Sequence, residues 1–326
     1  MSTAHEPSRA TLQVFADCDN ACVFCAQHRL AQSVPTRDAL TARLRALRET
    51  HDEVTFTGGE PDLRDDLAAL VREARALGFK RVGIQTNGRR LRESARTLAD
   101  AGLSDAHLSL HGSVPSLHDH HTGVDGSLRE SLAGASALRA AGVTLVATTV
   151  LTRSNFRSLG EMPAWLGARG IAAWRVLLPV AAGRAIEAFD RVLPRLALAL
   201  PPTLYALEMA RRQGLPAWIQ GAPACLLGPF AARALKDVAR AYTSGCEGCT
   251  ARATCAGVDA RYLERFAGDE LSASRAPKAD VNPALSERER ALARMFTDLG
   301  PRGEGTAAAP ARGRVALPVV ARSREE

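Results

Sequence analysis

Apolar and polar positions along the chain fall into two alternating patterns. Short runs rich in Val, Ile, Leu, Thr and Phe end in polar or glycine residues, as buried strands do. Between them lie Ala/Leu/Arg-rich segments in which apolar residues recur at helical spacing. The short runs predict strands at 11–16, 53–57, 81–86, 106–110, 143–150 and 173–178. The longer segments predict helices at 36–49, 64–77, 91–101, 127–140 and 158–168.

Glycines mark the ends of four predicted helices. Gly78, Gly102, Gly142 and Gly170 each follow a helical segment at the position where a left-handed residue would end it. Because strands and helices alternate with short connections, we expect parallel strands joined by right-handed crossovers. Six such units predict an α/β fold, a partial (β/α)6 TIM-type barrel whose functional groups gather after the C-terminal ends of the strands.

The pattern changes beyond the sixth unit. Residues 184–215 are helical and interrupted by prolines, and 216–271 are irregular. A further helix is predicted at 283–299, followed by a Pro-, Gly-, Ala- and Arg-rich stretch without periodicity, as in a disordered tail. The expected organisation is a barrel at 1–200, a small irregular cluster-binding region at 201–271, and a helix with a disordered tail at 272–326.

Composition argues against several classes of protein. The 326 residues are 46% hydrophobic, which is ordinary for a globular protein, and no run approaches the roughly 20 apolar residues of a membrane helix. The start lacks the charged-then-apolar layout of a secretory signal, so we expect a cytoplasmic protein that does not bind membranes. The net charge of +7 comes mostly from arginines spread through predicted helices, which argues against nucleic acid as a partner.

Seven cysteines form two separate groups. Three lie within 18–25 and four within 225–255, with none between. Scattered core thiols would not cluster in this way, and an odd number in a reducing compartment argues against a disulfide framework. Two metal or iron–sulfur sites are the better interpretation.

The first group, in FADCDNACVFCAQH, directly follows the first predicted strand. At CxxxCxxC spacing, the thiolates of Cys18, Cys22 and Cys25 can bind one [4Fe-4S] cubane. Since only three ligands are supplied, the fourth iron stays open for a substrate or cofactor, as positions do in catalytic metal sites. A zinc knuckle or three buried thiols is the alternative.

This motif resembles the defining signature of the radical S-adenosylmethionine (SAM) superfamily, CxxxCxΦC, with Phe24 as the aromatic residue before the last cysteine. The resemblance implies that the open iron binds the amino and carboxylate groups of SAM, with Phe24 at the cofactor site. It also implies that an electron from the cluster breaks the sulfonium bond, which yields methionine and a 5′-deoxyadenosyl radical. A reductant such as flavodoxin or ferredoxin is then the expected partner.

A second motif, TGGEP, follows the second predicted strand. Paired glycines let backbone groups approach a ligand closely, and a carboxylate or carbonyl can accept hydrogen bonds from an ammonium group. Alone, this string would also suit an ordinary turn before a helix. After the cysteine motif it resembles the GGEP motif of the superfamily, which implies that Gly58, Gly59, Glu60 and Pro61 hold the amino group of SAM.

Polar residues also follow later strands, as the barrel interpretation requires. The resemblance suggests that Ser109 and Asn155 contact the ribose or carboxylate of SAM. His111 should face the cavity as a candidate catalytic residue, either a proton shuttle or a substrate contact, with a hydrogen-bonded structural histidine as the alternative. The run HDHH at 118–121 is predicted to be a loop near the substrate and not a metal site, because adjacent loop residues do not easily converge on one ion.

The second group consists of Cys225, Cys246, Cys249 and Cys255. Four thiolates complete either a tetrahedral zinc site or a fully ligated [4Fe-4S] cluster, and spacing alone does not choose between them. The CxxCxxxxxC string resembles part of the auxiliary-cluster (SPASM or twitch) regions behind radical SAM barrels, although the full SPASM pattern has seven cysteines. We therefore predict a second, auxiliary [4Fe-4S] cluster with no open iron, for electron transfer or structural support, with zinc as the alternative.

Together these motifs predict radical chemistry on an unactivated C–H bond of a peptide or small molecule. Peptide or protein maturation is the preferred interpretation. An enzyme of cofactor or small-molecule biosynthesis, similar to the molybdopterin-precursor synthase, is the close alternative. A non-catalytic zinc- or RNA-binding protein is the alternative from a different class.

Overall fold

The fold is organised around one parallel sheet. A computed structural model describes residues 8–26, 34–235, 237, 240–274 and 285–296. In this part of the chain eight strands pair in chain order and curl into a half-barrel. The strands are β1 (Arg9–Phe15), β2 (Glu53–Gly58), β3 (Arg81–Thr86), β4 (Asp105–Ser109), β5 (Thr144–Val150), β6 (Ala173–Leu177), β7 (Ala217–Gln220) and β8 (Ala234–Leu235). The predicted fold class, an α/β partial TIM-type barrel, is confirmed.

Helices lie between and after the strands along the chain. They are α1 (Arg37–Arg48), α2 (Leu67–Ala76), α3 (Leu91–Asp100), α4 (Pro115–Thr122), α5 (Ser127–Ala140), α6 (Met162–Gly167), α7 (Arg184–Glu187), α8 (Phe189–Val192), α9 (Leu196–Arg212), α10 (Ala260–Phe266) and α11 (Glu287–Phe296). All four glycines predicted to end helices adopt positive φ angles, Gly78 at 94°, Gly102 at 103°, Gly142 at 83° and Gly170 at 75°. Within the described ranges, no helix has both the length and the apolarity needed to cross a bilayer.

Three local predictions are corrected by the structure. The run 118–121 is not a loop, because it lies in helix α4, whose eight residues include three histidines that hide its apolar periodicity. Strands β7 and β8 were not predicted, since four and two residues carry too little pattern. The helical region predicted at 184–215 is divided among α7, α8 and α9, and α9 continues through Pro201 and Pro202.

The C-terminal helix lies close to its predicted position. Helix α11 ends its described length at Phe296, which packs against Trp218 of β7. The predicted disordered tail lies outside the described residues. Strands β7 and β8 lie beyond residue 200 and continue the sheet of β1–β6, while the proposed division at that residue stays a prediction.

The two ends of the half-barrel, where the strands begin and where they end, differ in chemistry. At the N-terminal ends of the strands, the buried Arg9 guanidinium pairs with Glu53 and Asp105, each at 2.8 Å. Between sheet and helices, apolar side chains such as Leu12, Phe56 and Leu70 form the main core. The charged network therefore ties the strand starts together, and the opposite edge remains for a binding site.

Candidate active site

Three thiols meet at the C-terminal edge of the sheet. Cys18, Cys22 and Cys25, on the loop after β1, all line one cavity of about 240 Å³. Burial, and then the neighbouring thiols of Cys18 and Cys25, raise the pKa of Cys22 to about 12. Burial also raises the pKa of Cys18 to about 11. Such thiols keep their protons at neutral pH unless a metal compensates the thiolate charge, so metal binding here would release protons.

The loop that carries these cysteines is fixed on one side by the glycine motif. The Gly59 amide donates to the Phe15 carbonyl and the Glu60 amide donates to the Asp17 carbonyl, both at 2.8 Å. A Cβ atom on Gly58 would lie 1.9 Å from the Phe15 oxygen, and one on Gly59 would lie 2.0 Å from the Asp17 oxygen. The paired glycines therefore permit the cysteine loop itself to approach the β2 turn.

Helix α4 holds the other side of the cysteine loop. The Ala21 amide donates to the Thr122 carbonyl at 2.8 Å, and the Val23 amide donates to the His121 carbonyl at 3.0 Å. These carbonyl groups lie at the C-terminal end of the helix, where they have no partner within it. The loop is thus held by the backbone of two different barrel units.

The Glu60 carboxylate connects the β2 turn to the β3 turn. Its oxygens accept hydrogen bonds from the Thr86 hydroxyl at 2.7 Å, the Asn87 amide at 2.7 Å and the Asp62 amide at 3.2 Å. Burial raises its pKa to about 7 against these hydrogen bonds. The next residue, Pro61, starts a short 3-10 helix and is buried. Glu60 therefore positions two turns of the rim, and its predicted contact with SAM stays a prediction.

Asn87 extends this link to the cysteine loop. Its side-chain amide donates to Asp19 Oδ1 at 2.6 Å and lies 4.0 Å from Cys18 Sγ. Its carbonyl accepts from the Ser131 hydroxyl at 2.6 Å. The asparagine therefore does more than cap a turn, because it joins the first cysteine to β3 and α5.

His111 and Phe24 form one wall of the cavity. Their rings meet edge-to-face with centroids 4.6 Å apart. His111 Nδ1 accepts a hydrogen bond from the Val150 amide at 3.3 Å, so the neutral ring carries its proton on Nε2. Burial, followed by the nearby His118 and His121, lowers the pKa of His111 well below its ordinary value. At neutral pH this residue is a fixed N–H donor at the cavity wall.

Ser109 and Asn155, the other two residues predicted to contact SAM, differ in position. Ser109 lines the cavity. Asn155 does not, because its Oδ1 accepts from the Thr152 amide at 2.8 Å while its Nδ2 donates to the carbonyls of Val150 at 2.8 Å and His111 at 3.1 Å. The structure thus brings Ser109 to the other candidates and uses the Asn155 side chain inside the β5 turn.

Several cavity residues were not predicted. Gln13, Arg184, Gln220, Asp237 and Arg240 line it as well. The ends of β7 and β8 supply three of them, and those strands are too short to be recognised from the sequence.

Gln220 is held in one orientation by a buried arginine. Arg175 Nη1 donates to Gln220 Oε1 at 2.7 Å. Since a guanidinium group only donates hydrogen bonds, the amide oxygen of Gln220 is occupied and its NH2 group is left for the cavity.

The family comparison agrees with this geometry. A sequence model described as the Radical SAM superfamily matches residues 12–165, a segment that carries the cysteine loop, the glycine motif and His111 on β1–β5. Residues 12–165 are a radical SAM domain. Curated relatives that this chain matches are named as enzymes, which agrees with an enzyme domain in this part of the chain.

The curated relatives share the radical SAM domain and differ in their named activities. An AdoMet-dependent heme synthase of Oleidesulfovibrio alaskensis is 33% identical over 184 residues, 54% of this chain and 46% of the relative. A PqqA peptide cyclase of Xanthomonas campestris pv. campestris is 34% identical over 160 residues, 48% of this chain and 42% of the relative. The chain thus spans about half the length of the curated relatives it matches.

Solved structures share the fold of the domain. Methylornithine synthase aligns with a TM-score of 0.56 at 14% identity, over 82% of this chain and 83% of that one. Streptococcus suis SuiB bound to S-adenosylmethionine aligns with a TM-score of 0.56 at 19% identity, over 65% and 50%. At these identities the likeness establishes the fold alone.

The second cysteine group follows the radical SAM domain in the chain. Cys225, Cys246, Cys249 and Cys255 line one pocket. The amides of Ala224 and Gly257 each approach Cys255 Sγ at 3.3 Å, and the Ser274 amide approaches Cys249 Sγ at 3.3 Å. Backbone N–H groups aimed at sulfur stabilise negative charge there, as they do around iron–sulfur clusters.

Neither cysteine group has the spacing of a single-ion site. In the described part of the chain, no three Cys, His, Asp or Glu side chains converge closely enough to hold one metal ion. A tetrahedral zinc site with bonds of about 2.3 Å would bring its sulfurs within about 4 Å of one another.

Proposed function

We propose that this chain is a radical SAM enzyme that cleaves SAM reductively and uses the resulting 5′-deoxyadenosyl radical to abstract a hydrogen atom from an unactivated C–H bond. The observation that carries the proposal is that Cys18, Cys22 and Cys25 line one cavity, and that the backbone of their loop packs directly against the glycine turn after β2. Three thiolates leave one iron of a cubane open, as catalytic metal sites require. We place this enzyme in the cytoplasm.

The described residues suit the cofactors that the family uses. A [4Fe-4S] cluster on the three thiolates would supply the electron that breaks the sulfonium bond of SAM. Gly58, Gly59 and Ser109 line the same cavity, and backbone carbonyl groups and a hydroxyl are groups that can form hydrogen bonds with the polar groups of SAM. His111 adds a neutral N–H donor and Phe24 an apolar wall.

For the second cysteine group we propose an auxiliary [4Fe-4S] cluster bound by Cys225, Cys246, Cys249 and Cys255. Support comes from the shared pocket and the three amide-to-sulfur contacts. Four thiolates leave no iron open, so its role is electron transfer or structural support. Zinc is the competing occupant, because it also accepts four thiolates, although these thiols would have to move closer together to bind a single ion.

For the substrate we propose a peptide or protein, with a cofactor precursor as the second candidate. The peptide proposal is supported by 34% identity to a PqqA peptide cyclase. The second candidate is supported by 33% identity to an AdoMet-dependent heme synthase. A short peptide encoded beside this chain's gene would favour the first, and a set of cofactor-biosynthesis genes the second.

The proposed activity is tested by anaerobic reconstitution with iron and sulfide, followed by dithionite and SAM. Wild-type protein should be brown and should form 5′-deoxyadenosine, detected by chromatography, whereas Cys18→Ala should form no 5′-deoxyadenosine. A colourless protein, or cluster-loaded protein that forms no 5′-deoxyadenosine, would favour the non-catalytic zinc- or RNA-binding alternative.

The auxiliary cluster is tested separately by metal analysis. Wild-type protein should bind about eight irons per chain, and the Cys225→Ala/Cys246→Ala double variant about four. An equal iron content in both, or zinc in place of the lost iron, would refute the second cluster.

A further inference from the structure

A groove lies on the outer side of the cysteine loop. Val23, Thr152 and Val192 form its floor, and His120, Arg153 and Arg191 form its rim, around a volume of about 470 Å³. We call it the Val23 groove. It shares no lining residue with the cavity at the C-terminal strand ends, so a partner there would compete with neither SAM nor substrate.

The Val23 groove touches the loop that carries the metal ligands. Val23 lies between Cys22 and Cys25, and its amide is fixed to the His121 carbonyl at 3.0 Å. Its side chain packs against the small apolar cluster that includes Ala185 and Val192. A molecule bound in the groove would therefore contact the residue that directly follows Cys22 in the chain, which offers a short covalent path toward a thiol.

The charge of the groove is positive. Among the described residues, Arg153 and Arg191 are exposed and form no ion pair. The nearest acid on the rim is Asp190, whose carboxylate is held by Arg265 at 2.8 Å and whose carbonyl accepts from the Arg153 guanidinium. Two arginine charges are thus left to attract an acidic partner, in a chain of net charge +7.

A second groove beside the cysteine loop lacks this property. It is lined by four arginines, including Arg90 and Arg92, but also by four acids, including Asp62 and Glu93. Its charges balance, so it offers no comparable attraction.

We propose that the Val23 groove is the docking surface for an acidic one-electron carrier protein of the flavodoxin or ferredoxin class. The proposal rests on the proposed function, because the electron delivered there is the one that SAM cleavage consumes. A reduced flavodoxin hydroquinone gives one electron and leaves as the semiquinone. Electron-transfer encounters bury little surface and depend on complementary charge, which fits a small groove with a cationic rim.

The test reverses the charge of the rim. The Arg153→Glu/Arg191→Glu variant is compared with wild type and with Arg72→Glu, an equal change per site on the exposed face of α2. The double variant should bind flavodoxin, and separately ferredoxin, about tenfold or more weakly than wild type in direct titrations at low salt. The defect should shrink at high salt, where surface charges are screened.

Reductants of different size provide the second measurement. Formation of 5′-deoxyadenosine driven by the carrier should fall in parallel with binding, while formation driven by dithionite should match wild type. Wild-type affinity of the double variant for both carriers, or an equal loss in Arg72→Glu, would overturn the docking surface.

Two further outcomes are also decisive. If the double variant loses dithionite-driven activity through misfolding, Arg153→Gln/Arg191→Gln takes its place with the same expectations at reduced size. If even wild type forms no 5′-deoxyadenosine with dithionite, the proposed function fails, and the binding titration still decides whether acidic carriers use the groove.

Discussion

The sharpest structural prediction concerns Gly59, where the β2 turn meets the cysteine loop. In Gly59→Ala, the new methyl group would lie 2.0 Å from the Asp17 oxygen and 2.4 Å from its carbonyl carbon, against about 3.5 Å for an ordinary contact. Both neighbours are backbone atoms, so no side chain can turn aside. The cysteine loop must move away by more than about 1 Å.

The cost follows from the contacts that this movement disturbs. Overpacking of this kind costs about 1–3 kcal/mol. The Gly59-to-Phe15 and Glu60-to-Asp17 hydrogen bonds, both 2.8 Å, are each worth about 1 kcal/mol. We expect the free energy of unfolding to fall by about 3–5 kcal/mol.

Urea unfolding of the metal-free protein measures this change, with Gly167→Ala as the matched control. Gly167 lies in α6, and no atom outside its chain neighbours and the local helix backbone lies within 4 Å of the position that a Cβ atom would take there, so alanine should be neutral or stabilise by up to about 1 kcal/mol. After reconstitution, Gly59→Ala should also bind fewer irons than the control. Equal urea midpoints and equal iron content in the two variants would refute this prediction.

The remaining predictions concern two buried charged residues. In Glu60→Gln, an NH2 group replaces one acceptor oxygen and leaves the Asn87 amide unpaired, so urea unfolding at pH 5 should show a loss of about 1–3 kcal/mol. Burial raises the pKa of Glu60 from its ordinary value of 4.5 to about 7, so protonation of Glu60 stabilises the fold fully below pH 4.5 and this contribution is lost as pH rises through 7. The difference in free energy of unfolding between wild type and Glu60→Gln should therefore shrink by up to about 3 kcal/mol between pH 5 and 8. A difference that does not change with pH would contradict this prediction. Arg9→Met should lose about 3–5 kcal/mol because the buried carboxylates of Glu53 and Asp105 lose the cation they share, although Arg81 and His107 still contact Asp105. A loss no larger than that of the exposed Arg45→Met would contradict the role of this network.

Regular segments with clear punctuation were the most predictable from the sequence. Strand β3 and helix α5 have the predicted bounds, because each has a strong apolar pattern and α5 is followed by Gly142, which has a left-handed backbone. Where the pattern is short or masked by polar residues, as in β7 and α4, local sequence carries too little information. Those elements depend on contacts with the rest of the fold.

The candidate active site was likewise predictable from the sequence only in part. Spacing predicted that Cys18, Cys22 and Cys25 belong together, because a short loop restricts where its residues can lie. The sequence indicated that Gly59 permits a close approach, but only the pairing of β1 with β2 reveals that the approaching group is the cysteine loop. Likewise, the occupied side chain of Asn155 follows from the conformation of the β5 turn, which no motif encodes.

The proposed chemistry depends on a cluster that Cys18, Cys22 and Cys25 hold and whose open iron binds SAM. Its most direct test is the electron paramagnetic resonance spectrum of the reduced, reconstituted Cys225→Ala/Cys246→Ala variant, recorded before and after addition of SAM. We expect a reduced [4Fe-4S] signal that changes shape with SAM. The signal should be absent from the triple variant that also carries Cys18→Ala. A signal that saturating SAM leaves unchanged, or that survives the loss of Cys18, would show that the three cysteines do not hold such a cluster.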